Sequence, residues 1–271
     1  DLAPVLGRTP MAYDRENVEK QRRFSSSHPL LGAIRDLAAD RRIEVIAEAW
    51  DLWGYEVGNF PSGWGEWNGR YRDAVRAYLK GDADTQDFID QFNGDWARFS
   101  DQGGPQQSVD FITAHDGFTL ADLVSYNFQD NGQPYPFGPS DGGSDNNLSW
   151  DSEGDQPFRR QRIRNFLAVL FLSRGVPMIV SGDEYGRTQN GNNNPWCLDT
   201  IGIWNNWAAV GTNAPQEVPV DPDRPELRSH DNLGKGSTPD RVNPLLVFTS
   251  YLAGLRLRHP GLHQRTYADA E

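Results

Sequence analysis

"IEVIAEAWDLWGYEVGNF", Ile43 to Phe60, decides how the chain is organised. A short β-branched, apolar run climbs through Val45 and Ile46 and ends on a carboxylate, Glu48, between two alanines. Trp50, Trp53 and Tyr55 follow at once. A run of this kind reads as a strand from Ile43 to Ala47, with an acid delivered at its end. Upstream, "SSSHPLLGAIRDLAADRR" places Leu31, Ile34 and Leu37 at helical spacing, with Pro29 in the first turn and Ser27 as the expected N-cap. Downstream, "RYRDAVRAYLKGD" repeats the helical pattern through Tyr71, Val75 and Tyr78, and Gly81 stops it.

The alternation continues to the end of the chain. "SVDFITAHDGFTLADLVSYN" reads as a strand, Val109–Ala114, then a turn and a helix that Thr119 caps. "FRRQRIRNFLAVLFLSRG" is a helix with Ile163, Phe166, Leu167, Leu170 and Phe171 on one face. "VPMIVSGDEYG" is another strand ending in acids, and a last helix carries Leu245, Phe248, Leu252 and Leu255. Strands that alternate with helices imply an α/β fold with a parallel sheet. Asp1, Glu48, Asp116 and the pair Asp183/Glu184 each fall at or past the end of a strand or presumed strand. In a (β/α) barrel those ends converge on the face where active sites are built. Glu48 is therefore expected to be held over a pocket. Taken singly, each acid has a plainer reading. A Glu after a strand is usually solvated or a cap, "HDG" at His115–Gly117 suits an Asx-type turn, and a structural role is expected for Asp183 and Glu184.

Composition narrows the function classes. A chain of 271 residues fits one large domain. Lys and Arg number 26 against 38 Asp and Glu, a net charge of -12 that argues against a nucleic-acid partner. No apolar run approaches the ~20 residues of a membrane helix, so no membrane partner is expected. One cysteine, Cys197, excludes an internal disulfide and fits a reducing, cytoplasmic setting, with export left open. His28, His230, His259 and His263 share no ligand spacing, and the Asn-rich "NGNNNPWC" has too few carboxylates for calcium. Neither a metal nor a cofactor is expected, and neither a Ser-centred nucleophile elbow nor a phosphate-cradling loop is found. Nine Trp and nine Tyr cluster beside Gly, Asn and Asp, as stacking surfaces for sugar rings do. Two long irregular stretches, Tyr126–Asp155 and Gln189–Val242, have the length of functional loops.

Five blocks carry a resemblance: "DLAPVLGR", "IAEAWD" continuing through "GYEVGNFPSGWGEWNGRYRDAVRAYLKGD", "FITAHDGFTLADLVSYN", "GPSDGGSDNNLSWD" and "GVPMIVSGDEYGRTQNGNNNPW". In order and over nearly the whole chain, they resemble the isoamylase and glycogen-debranching branch of the alpha-amylase family. The resemblance implies a partial (β/α)8 TIM barrel, strands four to eight with their helices. Residues 1–271 would then be the C-terminal part of a single catalytic barrel. The first barrel strands, an N-terminal β module and a C-terminal β-sandwich would be absent. With strands four and eight left as open edges, such a piece is expected to be unstable and inactive alone.

The same resemblance implies the site. Asp1 matches the nucleophile of an Arg-x-Asp-Leu pattern, Glu48 the general acid/base, Asp116 the stabiliser of the transition state, and His115 a sugar ligand. Ala49 stands where the family usually has Pro. Trp50, Trp53, Tyr55 and Trp64 would supply stacking faces for an α-glucan substrate. A retaining glycosidase needs an ionised carboxylate and a protonated carboxyl about 5–5.5 Å apart across the bond, which fits Asp1 and Glu48 in these posts. Two other readings remain: a transglycosylase of the same family, and a non-catalytic glucan-binding barrel.

Overall fold

A computed structural model describes residues 1–8, 16–211 and 242–267. His230 and most of the stretch expected as a loop at Gln189–Val242 lie outside them. The described helices are α1 (Val18–Arg22), α2 (Pro29–Arg41), α3 (Gly69–Lys80), α4 (Thr85–Phe92), α5 (Trp96–Phe99), α6 (Leu120–Leu123), α7 (Gln156–Leu172) and α8 (Pro244–Arg258). The strands are β1 (Val45–Ala47), β2 (Trp50–Asp51), β3 (Gly54–Tyr55), β4 (Trp64–Asn68), β5 (Ser108–Phe111) and β6 (Val176–Met178).

β1, β4, β5 and β6 form one parallel sheet in that order, each joined to the next by a connection that runs through other elements. β2 and β3 form a separate hairpin, with Trp50 opposite Tyr55. The α/β expectation holds, and the sequential parallel order is that of part of a (β/α) barrel.

Three details differ from the sequence reading. The Asp1 segment is not a strand: Leu2 takes a left-handed φ of 49° and leads into a 3-10 turn at Ala3–Gly7. Of the five strands expected, the described sheet therefore contains four. The stretch from Trp50 to Trp67, in which the sequence marks no strand, ends in β4, an inner strand of that sheet. Finally, α2 is capped by His28, whose ring nitrogen accepts from the Leu30 amide, and Ser27 is left outside.

Pairing of Val45 with Trp64, Glu66 with Ser108 and Phe111 with Met178 sorts the sheet into two faces, since side chains alternate along a strand. One face carries Ile46, Gly65, Trp67, Val109, Phe111 and Met178. The other carries Ala47, Trp64, Glu66, Asn68, Ser108 and Asp110, all buried. Beneath this second face lies a polar layer. The Asn68 amide donates to Gln91 of α4 (3.1 Å) and to Ser108 (3.0 Å), and the Ser108 hydroxyl donates to Asp110 (2.6 Å). Burial pushes the Asp110 carboxyl up to about 8. Around this layer, Tyr71, Phe118, Leu123, Phe166, Leu170 and Leu252 make the larger apolar core between α3, α6, α7 and α8. Leu31, Phe60, Trp64 and Phe99 make a smaller one beside β1.

Arg256 of α8 ties this scaffold to the end of α7. Its guanidinium donates to the carbonyls of Phe171, Ser173 and Gly175, where the last turn of a helix leaves acceptors unmatched. Arg256→Met should leave those buried carbonyls without donors and cost about 3 kcal/mol in the full-length protein, read as a lower urea midpoint with unchanged slope.

Glu66 generates a second expectation. It is buried on β4 and accepts from the Gly58 amide (2.7 Å), and burial lifts its carboxyl to about 7. The folded protein therefore keeps a proton that an unfolded carboxyl near 4.3 releases. The stability this contributes is complete below about pH 4.3 and is lost as pH rises towards 7. Glu66→Gln keeps an acceptor for Gly58 and carries no charge. Thermal melts should show the variant more stable than the parent at about pH 8, with the gap closing towards pH 5.

Candidate active site

The carboxyl ends of the four parallel strands define one rim, and each supplies a group to it. β1 ends one residue before Glu48, which is 5% exposed. The Leu2 amide donates to Glu48 Oε2 at 2.7 Å, and the Ala3 amide to the Glu48 carbonyl at 3.1 Å. These two bonds bring the N-terminal segment against the end of β1. The left-handed turn at Leu2 is where the chain bends to make them. As a result Asp1, Glu48 and His115 meet, with one ligand atom of each within 4.8 Å of the others. Asp1 and His115 are exposed and Glu48 is buried, so the group is open to solvent on one side.

Asp116 stands beside this cluster. Its Oδ2 lies 3.4 Å from His115 Nε2. The turn that carries both residues is fixed on either side. Asp183, after β6, accepts from the Thr113 hydroxyl and from the Leu120 amide (2.9 Å). The Gly117 amide donates to the Asn193 carbonyl at 2.9 Å. Asp183 is fully buried, and burial raises its carboxyl to about 6. It spans β5 and the start of α6, the structural role read from the sequence. Glu184 likewise turns inward, to the Gly182 amide (2.7 Å).

The four aromatic residues expected to stack on sugar separate into different environments. Trp64 is 3% exposed and packs on Phe60, with ring centroids 5.4 Å apart, so it is scaffold and offers no face to a ligand. Burial follows from its place on the covered face of β4. Trp50 is half-buried, stacked on Tyr55 at 5.7 Å and 8° and near Phe111 at 6.4 Å. Tyr55 is 48% exposed, and its hydroxyl passes so close to Gly69 that a Cβ there would lie 2.9 Å away. Trp53 is 50% exposed and stands by the guanidinium groups of Arg8 and Arg22, at 5.9 and 5.8 Å. It lines a cleft of about 580 Å³ with Arg22, Arg23 and Glu56, one that none of the acid-cluster residues borders. The Asp51 carboxylate holds this hairpin by accepting from the Trp53 and Gly54 amides and from Arg8.

Sequence reading missed Trp67. It lies on the open face of β4, 5.6 Å from the His115 ring and 5.7 Å from Phe111. The residues "WGEWN" have no hydrophobic alternation, two flanking glycines and no β-branched residue, so nothing in the sequence marks the strand. Asn193 was missed as well. Read as part of a hydrogen-bonded loop, it is the residue whose carbonyl holds the Asp116 turn.

No protein-family model matches the chain. It is 42% identical over 227 residues to an isoamylase of Flavobacterium sp, an alignment of 80% of this chain and 29% of that protein. It is 40% identical over 228 residues to a glycogen debranching enzyme of Yersinia enterocolitica, covering 78% and 31%. A glycogen operon protein GlgX homolog of Mycobacterium bovis is 45% identical over 185 residues, covering 64% and 25%. The chain thus spans about a quarter to a third of the length of the curated relatives it matches. Among solved structures, a pullulanase from Anoxybacillus sp. LM18-11 complexed with maltotetraose aligns with a TM-score of 0.57 at 20% identity, over 88% of this chain and 30% of that one. A pullulanase from Bacillus acidopullulyticus gives 0.56 at 17%, over 88% and 25%. Over this span the chain is homologous to isoamylase and the glycogen debranching enzymes, and it shares the fold of the pullulanases.

Proposed function

We propose that the chain supplies the nucleophile and the acid/base of a retaining glycoside hydrolase that cuts α-1,6 branches of glycogen- or amylopectin-type glucans. The observation that carries this is the meeting of Asp1, Glu48 and His115 within 4.8 Å. Carboxyl groups this close leave too little room for a water between them and the anomeric carbon, for which inverting enzymes keep about 6.5–9.5 Å. Glu48 gives its proton to the glycosidic oxygen as Asp1 attacks the anomeric carbon, and the C–O bond to the leaving chain breaks. Glu48 then takes a proton from water, whose oxygen displaces Asp1 and frees the sugar. The Leu2 amide fixes one oxygen of Glu48 throughout. His115 and Asp116 hydrogen-bond ring hydroxyls as the sugar distorts, and the exposed parts of Trp50 and Tyr55 give it an apolar face.

Both carboxylates would attack α-1,4 and α-1,6 bonds alike, so linkage selectivity belongs to the loops. The names of the relatives support α-1,6, and the single cysteine, Cys197, supports a reducing, cytoplasmic setting.

Substitutions in the full-length protein test the roles. Glu48→Gln should lower turnover of natural glucans by about a thousandfold, with the first step on a substrate bearing a very good leaving group better preserved. Asp1→Asn should lose both. Equal sensitivity of the two variants to leaving-group quality would overturn the assignment. Linkage is read with iodine. Amylopectin should stain more blue as linear chains are released, while amylose colour persists. Fading amylose colour with release of short maltodextrins would mean an α-1,4 endo-enzyme, and transferred glucan without new reducing ends a transglycosylase.

A further inference from the structure

Two strips of chain carry Asp1 and Glu48, and they are tied to each other at two places. The first strip runs from Asp1 through the 3-10 turn at Ala3–Gly7 to Arg8, and the second follows β1 from Glu48 to Glu56. At one place the Leu2 and Ala3 amides donate to Glu48. At the other, the Arg8 guanidinium grips Asp51 through two parallel bonds, Nε to Oδ2 and Nη2 to Oδ1, both 2.6 Å. Both side chains are buried, 4% and 5% exposed. The remaining Arg8 nitrogen, Nη1, donates to the carbonyl of Arg22, the last residue of α1, and lies 3.4 Å from Glu56 Oε1. Gly7 lets the strip come this close, since a Cβ there would stand 2.4 Å from the Phe24 ring.

A buried ion pair of this kind is weak evidence of stability. Withdrawing two charges from water can cost more than their attraction returns, and a well-packed apolar pair often serves a fold as well. What the pair adds is geometry. Guanidinium and carboxylate are both planar and meet edge to edge, so distance and direction are fixed together. Burial opposes ionisation of Asp51, yet the bonds from Arg8 and from the Trp53 amide outweigh it and hold the carboxyl below its ordinary range. The pair is therefore charged at neutral pH. The hairpin it grips is itself braced. Asp51 Oδ1 also accepts from the Trp53 (2.8 Å) and Gly54 (3.1 Å) amides, and the Glu56 amide donates to the Ala49 carbonyl at 2.7 Å.

We propose that Arg8 and Asp51 are positioning residues for the hydrolysis: their pairing sets how far Asp1 stands from Glu48, by joining the strip that carries the nucleophile to the hairpin that follows the acid/base. The inference rests on the reading of Asp1 and Glu48 in those roles. Attack and protonation must coincide across one bond, and a misplacement of about 1 Å costs about a hundredfold in rate. With Arg8 released, the first strip keeps its two amide bonds at Glu48 and loses the anchor at its far end. Both side chains are buried, so the loss falls on the alignment of the reacting groups and not on contacts with the glucan.

The test is steady-state hydrolysis of amylopectin by full-length variants, with thermal melts alongside. Arg8→Met combined with Asp51→Asn removes both charges together and keeps an acceptor for the Trp53 and Gly54 amides, so neither charge is left buried alone. This variant should melt close to the parent, keep the parent's KM and lose about a hundredfold in kcat. Arg8→Lys, which keeps the charge and gives up the fork, should lose about tenfold in kcat at unchanged KM, and serves if the double variant fails to fold. Parental kcat in a folded variant overturns the inference, as does a raised KM with kcat unchanged, which would make the pair part of substrate binding. Failure of both variants to fold would mark the pair as structural alone and overturn it too. A parent protein that hydrolyses no α-glucan, or Glu48→Gln with the parent's turnover, would instead overturn the reading of the acid cluster itself.

Discussion

Parallel register is the constraint on which the rest of the structure depends. Four strands that run the same way bring four carboxyl ends to one rim, whatever their sequences. Register then decides which residue reaches that rim. Pairing of Ala47 with Glu66 and of Asn68 with Asp110 puts Glu48 at the end of β1 in line with the turn after β5. A slip by one residue would send Glu48 to the helix-covered face and bring Ala47 or Ala49 over the cluster.

Charged groups outside the cluster of Asp1, Glu48 and His115 do the holding. Asp183 clamps Thr113 and Leu120, and Asp122 takes the Gln189 amide (2.7 Å) and the Thr188 hydroxyl. Burial raises both carboxyls, so each is costly to keep ionised, and each is matched by hydrogen-bond donors from the opposite segment. The loop that carries His115 and Asp116 has few apolar side chains of its own to fix it. Polar bonds to the residue 183–193 segment take that place.

Much of this was legible in the sequence, and the failures share a cause. Helices with an apolar face, such as α7 with Ile163, Phe166 and Leu170, declare themselves through spacing. Gly81 and Thr119 declare helix ends through local conformation and hydrogen bonding. β4 did not, because its buried face carries the polar Glu66 and Asn68 beside Trp64, so no hydrophobic alternation marks the strand. Trp64 was assigned to sugar stacking for the same reason: outside a recognised strand, an aromatic beside glycines reads as a loop. Glu48 and Asp116 could be placed past strand ends from the sequence, whereas His115 and the roles of all three entered through the family resemblance. Asn193 was not legible, since its contribution to the Asp116 turn is a backbone carbonyl, available to any residue type, and only the fold shows where it points.

The polar layer under the sheet explains why the register holds. An apolar underside would tolerate a shift, since one aliphatic contact substitutes for another. Asn68, Ser108 and Asp110 form a relay of donors and acceptors with geometry that only one alignment of β4 and β5 satisfies. Moving β5 by one residue would turn Ser108 and Asp110 towards Trp67 and Ile46, leaving a carboxyl against apolar surface and depriving Asn68 of one of its two acceptors. Each such orphan costs about 1–3 kcal/mol, more than the sheet gains from any alternative pairing of side chains, about 0.2–1 kcal/mol. The next strand is tied in similarly. Gly175 precedes β6 with Asp110 Oδ2 only 2.4 Å from where a Cβ would stand, so the β5–β6 junction also accepts a single arrangement. Buried polarity on one face thus fixes the register that aligns the carboxylates on the other.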